Sequence, residues 1–261
     1  MEIITSQQNS KIKNLLKLRK AGKRRQNNLI IIEGRKEVEM AVSAGVKLTE
    51  LYICAEYTNS GQAHYPNAAE EYRVNSDVMK KISIRENPDG YIAVARPNRL
   101  KLNDLKLSSS PLLVVLENVE KPGNLGAILR TADAVGVDAV LAADPQTDIY
   151  NPNVIRASLG TVFTSQVVGE TLDNIIKWLK DRKIKTIAAT PEARHFYTNI
   201  SYKDATAIMV GTEHEGLSQK ALELANIKVK IPMHGKIDSL NASVSTAVIL
   251  YEIYRQRNVQ N

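Results

Sequence analysis

Apolar runs and amphipathic stretches alternate along the whole chain, a pattern typical of proteins in which strands and helices follow one another. In the part of the chain before about residue 97, the pattern predicts three strands, at residues 29–32, 51–54 and 91–95. It also predicts two helices there, near residues 33–44 and 76–83. In the second part, from about residue 112, the pattern predicts five strands, at residues 112–116, 139–142, 186–189, 207–210 and 229–231. It predicts four helices, at residues 124–135, 172–182, 218–225 and 241–257. The longer alternation of the second part indicates a mainly parallel α/β sheet covered on both faces.

Proline and serine mark the border between the two parts. Pro97, the polar residues 98–101 and the sequence SSSP at 108–111 interrupt the apolar pattern. We therefore predict a small N-terminal α/β domain at residues 1–97, a linker at 98–111 and a larger C-terminal domain at 112–261.

Composition limits the class of protein. Of 261 residues, 43% are hydrophobic and 24% charged, which is enough apolar material for buried cores. Cys54 is the single cysteine, so the chain has no internal disulfide and cannot build a thiolate metal cluster. Because the sequence lacks an apolar run of about 18 residues and a basic-then-apolar start, we expect a cytoplasmic protein without a membrane partner.

The positive charge is concentrated in the first part. Residues 1–111 hold 19 Lys and Arg against 12 Asp and Glu, a net charge of +7, whereas residues 112–261 hold 16 of each. Residues 11–25 contain eight basic residues and no acid, with leucines between them, which predicts a basic helix with an apolar seam. A solvated helix face is one interpretation, and attraction to nucleic-acid phosphates is the other.

The first of three polar clusters follows the strand predicted at 112–116. Its sequence, KPGNLGAILR at residues 121–130, puts a turn at Pro122 and Asn124 at the predicted N-cap of the next helix. Arg130 lies off the apolar stripe of that helix. It is either an exposed arginine or, with Asn124, faces the cleft at the strand ends, where a guanidinium can bind a phosphate with two bonds.

Two further clusters follow later strands. The second, VGTEHEGLS at 210–218, has Gly211 where a strand ends, which we attribute to the close approach of a ligand to the backbone, and Gly216 where a positive φ is allowed. The third, IPMHGKIDSLNASVS at 231–245, leads into a helix that becomes apolar almost all round. Ser239 alone would serve as a helix cap, but the number of small polar residues here exceeds what a cap needs. The apolar helix must be buried in a core or against another subunit.

These three clusters resemble, in order and spacing, the motifs of the SpoU-type (TrmH-like) RNA ribose 2′-O-methyltransferases of the SPOUT superfamily. The first is similar to that family's N-x-G-x-x-x-R, the second to G-x-E-x-x-G and the third to I-P-M-x-G-x-x-x-S-L-N-x-S-V. The resemblance covers roughly residues 112–256. The sequences SQQNSKIK at 6–13 and IEG at 32–34 are similar to the family's N-terminal substrate-binding module. The chain departs from the family's pattern in the sequence ASVS at 242–245, where relatives often carry valine and alanine at the alternate positions.

The resemblance implies a fold, a cofactor and partners. It implies a deep trefoil knot in the C-terminal domain, S-adenosyl-L-methionine as methyl donor, a homodimer formed through that domain and structured RNA as substrate. The implied catalytic residues are Arg130, Asn124, Glu213, Ser239 and Asn241. The implied cofactor-binding residues are Thr190, Gly211, Gly216, Ile231, Met233, Ser239, Leu240 and Ser243. Together with the charge pattern, it assigns RNA binding to Lys11, Lys13, Arg19, Lys23, Arg24, Arg25 and Arg35.

Methyl transfer from an activated sulfonium requires alignment of the reactants and removal of a proton. Because arginine stays protonated, we expect Arg130 to position the RNA 3′-phosphate and polarise the hydroxyl; deprotonation through that phosphate and deprotonation by Arg130 itself both stay open. No metal is expected, since the four histidines lie apart, at residues His64, His195, His214 and His234.

Two other classes of protein each explain part of the sequence. A non-catalytic RNA-binding protein explains the basic first part but not three motifs, and a nucleotide-dependent oxidoreductase lacks its glycine fingerprint here. Ribosomal RNA is favoured as the substrate, transfer RNA is the alternative, and a housekeeping role and a role in antibiotic resistance both stay open.

Overall fold

The computed structural model describes residues 2–58 and 68–258. Its strands, in chain order, are β1 (Glu2–Ile4), β2 (Ile30–Glu33), β3 (Leu48–Ile53), β4 (Ala68–Val74), β5 (Tyr91–Ala95), β6 (Leu112–Glu117), β7 (Ala139–Ala143), β8 (Val167–Glu170), β9 (Lys185–Ala189), β10 (His195–Phe196), β11 (Thr206–Val210) and β12 (Ile227–Lys230). Its α-helices are α1 (Ser10–Lys17), α2 (Ala21–Asn27), α3 (Arg35–Ser43), α4 (Ser76–Ile82), α5 (Pro122–Val135), α6 (Pro152–Ala157), α7 (Thr161–Thr164), α8 (Leu172–Asp181), α9 (Gln219–Leu224) and α10 (Ala242–Asn258).

The chain forms two compact units. Unit 1 comprises Met1–Asn98 and Tyr150–Thr164, and unit 2 comprises Arg99–Ile149 and Ser165–Asn261. Within the described residues, none of the helices combines the length and the apolar character needed to cross a lipid bilayer.

Unit 1 is built on a five-stranded mixed sheet in the order β1-β4-β3-β5-β2. β1, β4 and β3 run parallel, while β5 is antiparallel to both β3 and β2. Its apolar core includes Ile12, Leu15, Tyr52 and Met79, all at most 1% exposed. Cys54 is buried at this core, and burial raises the pKa of its thiol.

A segment from the second half of the sequence belongs to unit 1. α6 packs against β2, and α7 packs against α3. Gly160, between the two helices, has φ +85°, and a Cβ there would lie 2.8 Å from Cβ of Met40. The turn can therefore approach α3 only with glycine at this position. The sequence assigned these residues to the C-terminal domain, because α6 and α7 are too short to show a helical period.

The basic segment at residues 11–25 forms two helices, α1 and α2, where the sequence predicted one. The predicted apolar seam is confirmed: Leu15 and Leu18 are buried, and the partly buried Leu16 packs against the same core. The Arg24 guanidinium, only 1% exposed, turns back and donates to the carbonyls of Leu18 and Arg19 at 3.0 and 2.8 Å. These bonds satisfy carbonyls at the end of α1, where the helix leaves them without partners.

Unit 2 is built on a seven-stranded sheet in the order β10-β12-β9-β11-β6-β7-β8. Every strand pair in it is parallel, which confirms the predicted parallel α/β sheet. α8 and α9 cover one core, where Trp178, Leu179 and Ala221 are buried, and α10 packs against α5. The sequence did not predict the short strands β8 and β10, and Ile231 lies just beyond β12. The trefoil knot stays a prediction.

Candidate functional site

A cavity of about 680 Å³ lies at the carboxyl ends of β9, β11 and β12. Seven of the eight residues predicted to bind the cofactor line it, namely Thr190, Gly211, Gly216, Ile231, Met233, Ser239 and Leu240. Clefts of about 300–1,000 Å³ with a largely apolar lining and a few polar groups suit a cofactor-sized ligand. Apolar side chains such as Leu217 and Leu222 and polar groups such as Thr190 meet that description.

The eighth residue, Ser243, does not line this cavity. Its amide and its hydroxyl both donate to Oδ1 of Asn241, at 2.9 and 2.6 Å. Asn241 therefore satisfies the start of α10, and the capping role considered for Ser239 belongs to Asn241. Ser239 lies exposed in the preceding loop, on the cavity wall.

The loop after β11 is folded back on itself. Thr212 and Gly216 form a backbone bridge, with N···O distances of 3.0 and 3.2 Å, and Gly216 has φ +67° as predicted. A Cβ on Gly211 would overlap the carbonyl of Gly216. The sequence attributed the glycine at 211 to the close approach of a ligand, whereas in the structure the approaching group is the chain's own backbone.

Glu213, presented by this turn, joins the three sequence clusters. Its carboxylate accepts hydrogen bonds from Nδ2 of Asn124 at 2.9 Å, from Nδ2 of Asn241 and from the Lys121 ammonium. Asn241 Nδ2 also lies 3.3 Å from Oδ1 of Asn124. The hydrogen bond from Lys121, and then that from Asn124, holds the pKa of Glu213 below its usual range. Three of the five predicted catalytic side chains thus form one bonded cluster around an ionised carboxylate.

Asn124 is not the N-cap that the sequence predicted. α5 begins at Pro122, after Lys121 in the N-cap position, so Asn124 lies inside the first turn. Proline is favoured at the first position of a helix because its missing N–H costs nothing there. The amide of Asn124 is therefore free to turn toward Glu213.

A second, smaller cavity of about 170 Å³ is lined by part of the same turn. Asn124, Lys121, Glu120 and Glu117 line it, together with residues 211–215, which also line the first cavity. Glu117 is 4% exposed, and its carboxylate accepts from the amide and the hydroxyl of Ser218 at 2.8 and 2.6 Å. These bonds fix the start of α9 to the end of β6.

Arg130 lies apart from this cluster. Its side chain is exposed on α5, it lines neither cavity of its own chain, and within residues 2–58 and 68–258 it makes no side-chain hydrogen bond or ion pair. The prediction that Arg130 faces the same cleft as Asn124 is therefore not met within one chain, although Arg130 does lie off the buried stripe.

Sequence reasoning missed two polar groups of the site. Lys121 lies in the first cluster, where the sequence pattern indicates no role for it, although its position beside Pro122 puts it at the start of the helix. Glu192 lines the larger cavity, and its carboxylate accepts a hydrogen bond from the Thr190 hydroxyl, which lowers the pKa of Glu192. No pattern in the sequence distinguishes Glu192 from a surface glutamate.

The residues predicted to bind RNA differ in burial and in whether their side chains already have partners within the chain. Arg24 is buried, so that prediction is wrong, and Arg19 donates to the carbonyls of Lys81 and Ser83 at 3.0 and 2.7 Å. Lys11 binds Glu70 at 2.8 Å and Tyr72, and these bonds raise its pKa; Arg35 pairs with Glu39. The exposed ones without a long-range partner among the described residues are Lys13, Lys23 and Arg25.

The described residues contain no cluster of three or more His, Cys, Asp or Glu arranged to hold a metal ion. His195, His214 and His234 lie within the described residues, and His64 lies outside them.

Two protein families match the chain. The SpoU rRNA methylase family matches residues 111–251, and the MRM3-like substrate binding domain matches residues 9–93. The Bacillus subtilis 23S rRNA (guanosine(2553)-2′-O)-methyltransferase RlmP is 28% identical over 257 residues, covering 97% of this chain and 99% of its own. The Thermus thermophilus tRNA (guanosine(18)-2′-O)-methyltransferase is 41% identical over 156 residues, covering 59% of this chain and 79% of its own.

A solved structure also matches over nearly the full length. The AdoMet-bound rRNA methyltransferase from Sinorhizobium meliloti superposes with a TM-score of 0.89 at 25% identity, covering 99% of each chain.

The turn at residues 211–217 yields a direct prediction. Gly211→Ala places a methyl group in the carbonyl of Gly216, so we expect the free energy of unfolding to fall by about 1–3 kcal/mol. Binding of S-adenosylhomocysteine, measured by calorimetry, should be lost as the cavity wall opens.

The control is Gly123→Ala, where a Cβ meets no atom within 4 Å. This glycine lies in α5 without a positive φ, so the change should leave binding intact and add up to about 1 kcal/mol of stability. Equal behaviour of both variants would contradict the role of the turn.

Proposed function

The chain belongs to the SpoU rRNA methylase family, and from that premise we propose that it methylates ribose 2′-hydroxyls of ribosomal RNA. It is an S-adenosylmethionine-dependent RNA ribose 2′-O-methyltransferase. The observation that carries the proposal is the cavity lined by Thr190, Gly211, Ile231 and Leu240 directly beside the Glu213 cluster. A site for the donor and a set of polar groups for the acceptor thus share one wall.

The extent of the similarity favours ribosomal over transfer RNA. The relative named for 23S rRNA matches both units of this chain, whereas the relative named for transfer RNA matches 59% of it. Unit 1 carries the match to the MRM3-like substrate binding domain, so this chain has a substrate-binding part in addition to its methylase domain. Mapping ribose methylation in total RNA from cells with and without the gene tests this. A lost methyl group in transfer RNA alone would overturn the ribosomal assignment.

The residues of the site have separable tasks. We assign the donor to the larger cavity, where the apolar walls suit an adenine and a methionine chain. The donor supplies an already activated methyl group when bound. The protein's own work is to align the acceptor and to take up a proton. Asn124 and Asn241, oriented by the ionised Glu213, present amide groups that position the ribose beside that cavity.

Arg130 is assigned to the RNA phosphate. It is exposed and makes no side-chain hydrogen bond or ion pair among the described residues, as expected of a guanidinium that binds a substrate anion. Since Arg130 lines no cavity of its own chain, we assign it to the site of the partner subunit in a dimer. The planar fork binds a phosphate with two bonds and polarises the neighbouring hydroxyl.

Arg130→Ala should lower methylation by about 10²–10³-fold, the usual cost of one lost electrostatic contact in the transition state. Stability should change by no more than about 0.5 kcal/mol, because the side chain is exposed. Arg130→Lys should fail nearly as badly, because an ammonium lacks the planar fork. Tritiated methyl transfer to ribosomal RNA, a thermal melt and donor calorimetry measure these effects. A folded Arg130→Ala protein with full activity would remove Arg130 from the mechanism.

We assign RNA binding to unit 1, through the exposed Lys and Arg side chains that have no long-range partner among the described residues. Replacing Lys13, Lys23 and Arg25 together by alanine should weaken binding to ribosomal RNA and reduce the slope of log K against log salt by up to about 0.9 per lost phosphate contact. Donor affinity should not change. Filter binding at several salt concentrations measures this, with exposed Lys47→Ala as the control. An unchanged slope in the triple variant would make these cations a solvated face.

Arg24→Ala is unsuitable for that experiment. The buried guanidinium holds the end of α1, and losing its charged hydrogen bonds should lower the free energy of unfolding by about 1.5–3 kcal/mol.

A homodimer through α10 is assigned from the surface of that helix. Val244, Tyr251 and Tyr254 are 47%, 55% and 41% exposed and lie at helical spacing on one face. The opposite face is buried within the chain by Ile249 and Leu250, both 0% exposed. The exposed apolar stripe lies on a helix whose other face is already buried. Such a stripe is suited to packing against a second copy of the chain.

Val244→Asp and Tyr251→Asp should each reduce the solution mass from about twice 28.9 kDa toward a single chain in light scattering, without unfolding the protein. Exposed Lys177→Asp on α8 is the control. Leu250 is not a useful site, because a charge there disrupts the core of the single chain. A monomeric wild-type protein with full activity would contradict the dimer.

A further inference from the structure

The edge of the unit 2 sheet carries an unusual local charge. Residues 193–203 contain Arg194, His195 and Lys203 and no acid, and residues 224–237 contain Lys228, Lys230, His234 and Lys236 and no acid. Residues 112–261 as a whole hold equal numbers of acidic and basic residues. The two stretches meet at β10 and β12, which are paired at that edge. The domain therefore concentrates positive charge in one place.

An exposed aromatic ring lies among these cations. Phe196 is 41% exposed, and in the β10–β12 register it stands opposite Lys230, whose ammonium lies 5.5 Å from the ring centroid. Lys228, two residues before Lys230, projects on the same face of the strand. Arg194 and Lys228 are exposed, and neither makes a side-chain hydrogen bond or ion pair within the described part of the chain.

This surface adjoins the donor cavity. Lys228 and Lys230 line the cavity that holds the predicted cofactor residues, while Arg194 and Phe196 lie outside it. A chain of nucleotides that crosses the surface would reach the mouth of that cavity.

We propose that Arg194, Phe196, Lys228 and Lys230, the basic edge, bind a single-stranded segment of the RNA substrate next to the methylated nucleotide. Proteins hold single strands with cations along the backbone and aromatic rings on which bases stack, and each stacked base contributes about 1–3 kcal/mol. The Phe196 ring supplies the stacking face, and the three cations supply the phosphate contacts. This role rests on the proposed function and adds a second RNA contact, within the methyltransferase unit itself.

The same edge is poorly suited to a protein strand. β10 has two residues, so it offers few backbone groups for strand addition, and charged side chains flank it. Positive charge with an exposed ring is complementary to a polyanion carrying flat bases.

The experiment uses the full chain and a fluorescein-labelled oligouridylate of about 20 nucleotides, since stacking of this kind tolerates any base. Phe196→Ala should weaken binding in anisotropy titrations by about 5- to 100-fold, which corresponds to one lost stacking contact. Phe196→Trp should bind as tightly as the wild type. Arg194→Ala should reduce the salt dependence, whereas Lys177→Ala on α8 should change neither quantity.

Phe196→Trp adds a direct measurement. Trp178 is the single tryptophan and is 6% exposed, so a second, exposed indole will dominate any change on RNA addition. We expect base stacking to quench the fluorescence of the variant and to leave that of the wild type unchanged. S-adenosylhomocysteine affinity should be the same in all these proteins.

Unaltered fluorescence at saturating RNA, or full RNA affinity in Phe196→Ala, would overturn the inference. Loss of donor affinity in the Arg194 or Phe196 variants would assign the edge to the cofactor instead. Methylation of ribosomal RNA by the wild type is scored separately. Its absence would overturn the proposed function, whereas its presence with an unaffected Phe196→Ala variant would overturn only the basic edge.

Discussion

The fold of the turn between Gly211 and Leu217 is the constraint on which the site depends. The Thr212–Gly216 bridge closes it so tightly that residue 211 has no space for a side chain. The turn forms a wall common to both cavities, and beyond it Ser218 is bound by the buried Glu117. One local backbone conformation therefore determines where the larger cavity ends and where the smaller one begins.

Electrostatics then holds the surrounding elements to that turn. Glu213 receives hydrogen bonds from the start of α5 and from the residue before α10, so a single carboxylate joins segments distant in sequence. Because its pKa is lowered in the folded state, this group adds stability above the pKa of the unfolded chain, and that contribution is lost as pH falls through the folded value. At neutral pH the carboxylate is ionised and accepts the hydrogen bonds from Lys121, Asn124 and Asn241.

The sequence predicted most of the longer strands and helices, and seven of the residues that line the larger cavity, for physical reasons. Long strands and helices carry a readable period, and Gly211 and Ile231 follow strands whose ends must meet at one edge. Contacts that depend on the folded path of the chain were not readable: Arg24 looks like its exposed neighbours, and its guanidinium reaches the carbonyls of Leu18 and Arg19 because the chain breaks between α1 and α2. For the same reason Lys121 was overlooked, since its partner Glu213 is 92 residues away.

The segment Tyr150–Thr164 has a consequence for how the protein is made. Unit 1 is discontinuous, since α6 and α7 complete its surface around β2 and α3. During synthesis the chain emerges from its N-terminus at about 5–20 residues per second. The first unit cannot finish folding when residue 98 leaves the ribosome, because its last piece is still untranslated. When residues 150–164 have been made, β6, α5 and β7 already precede them, so part of the second unit is present before the first can close.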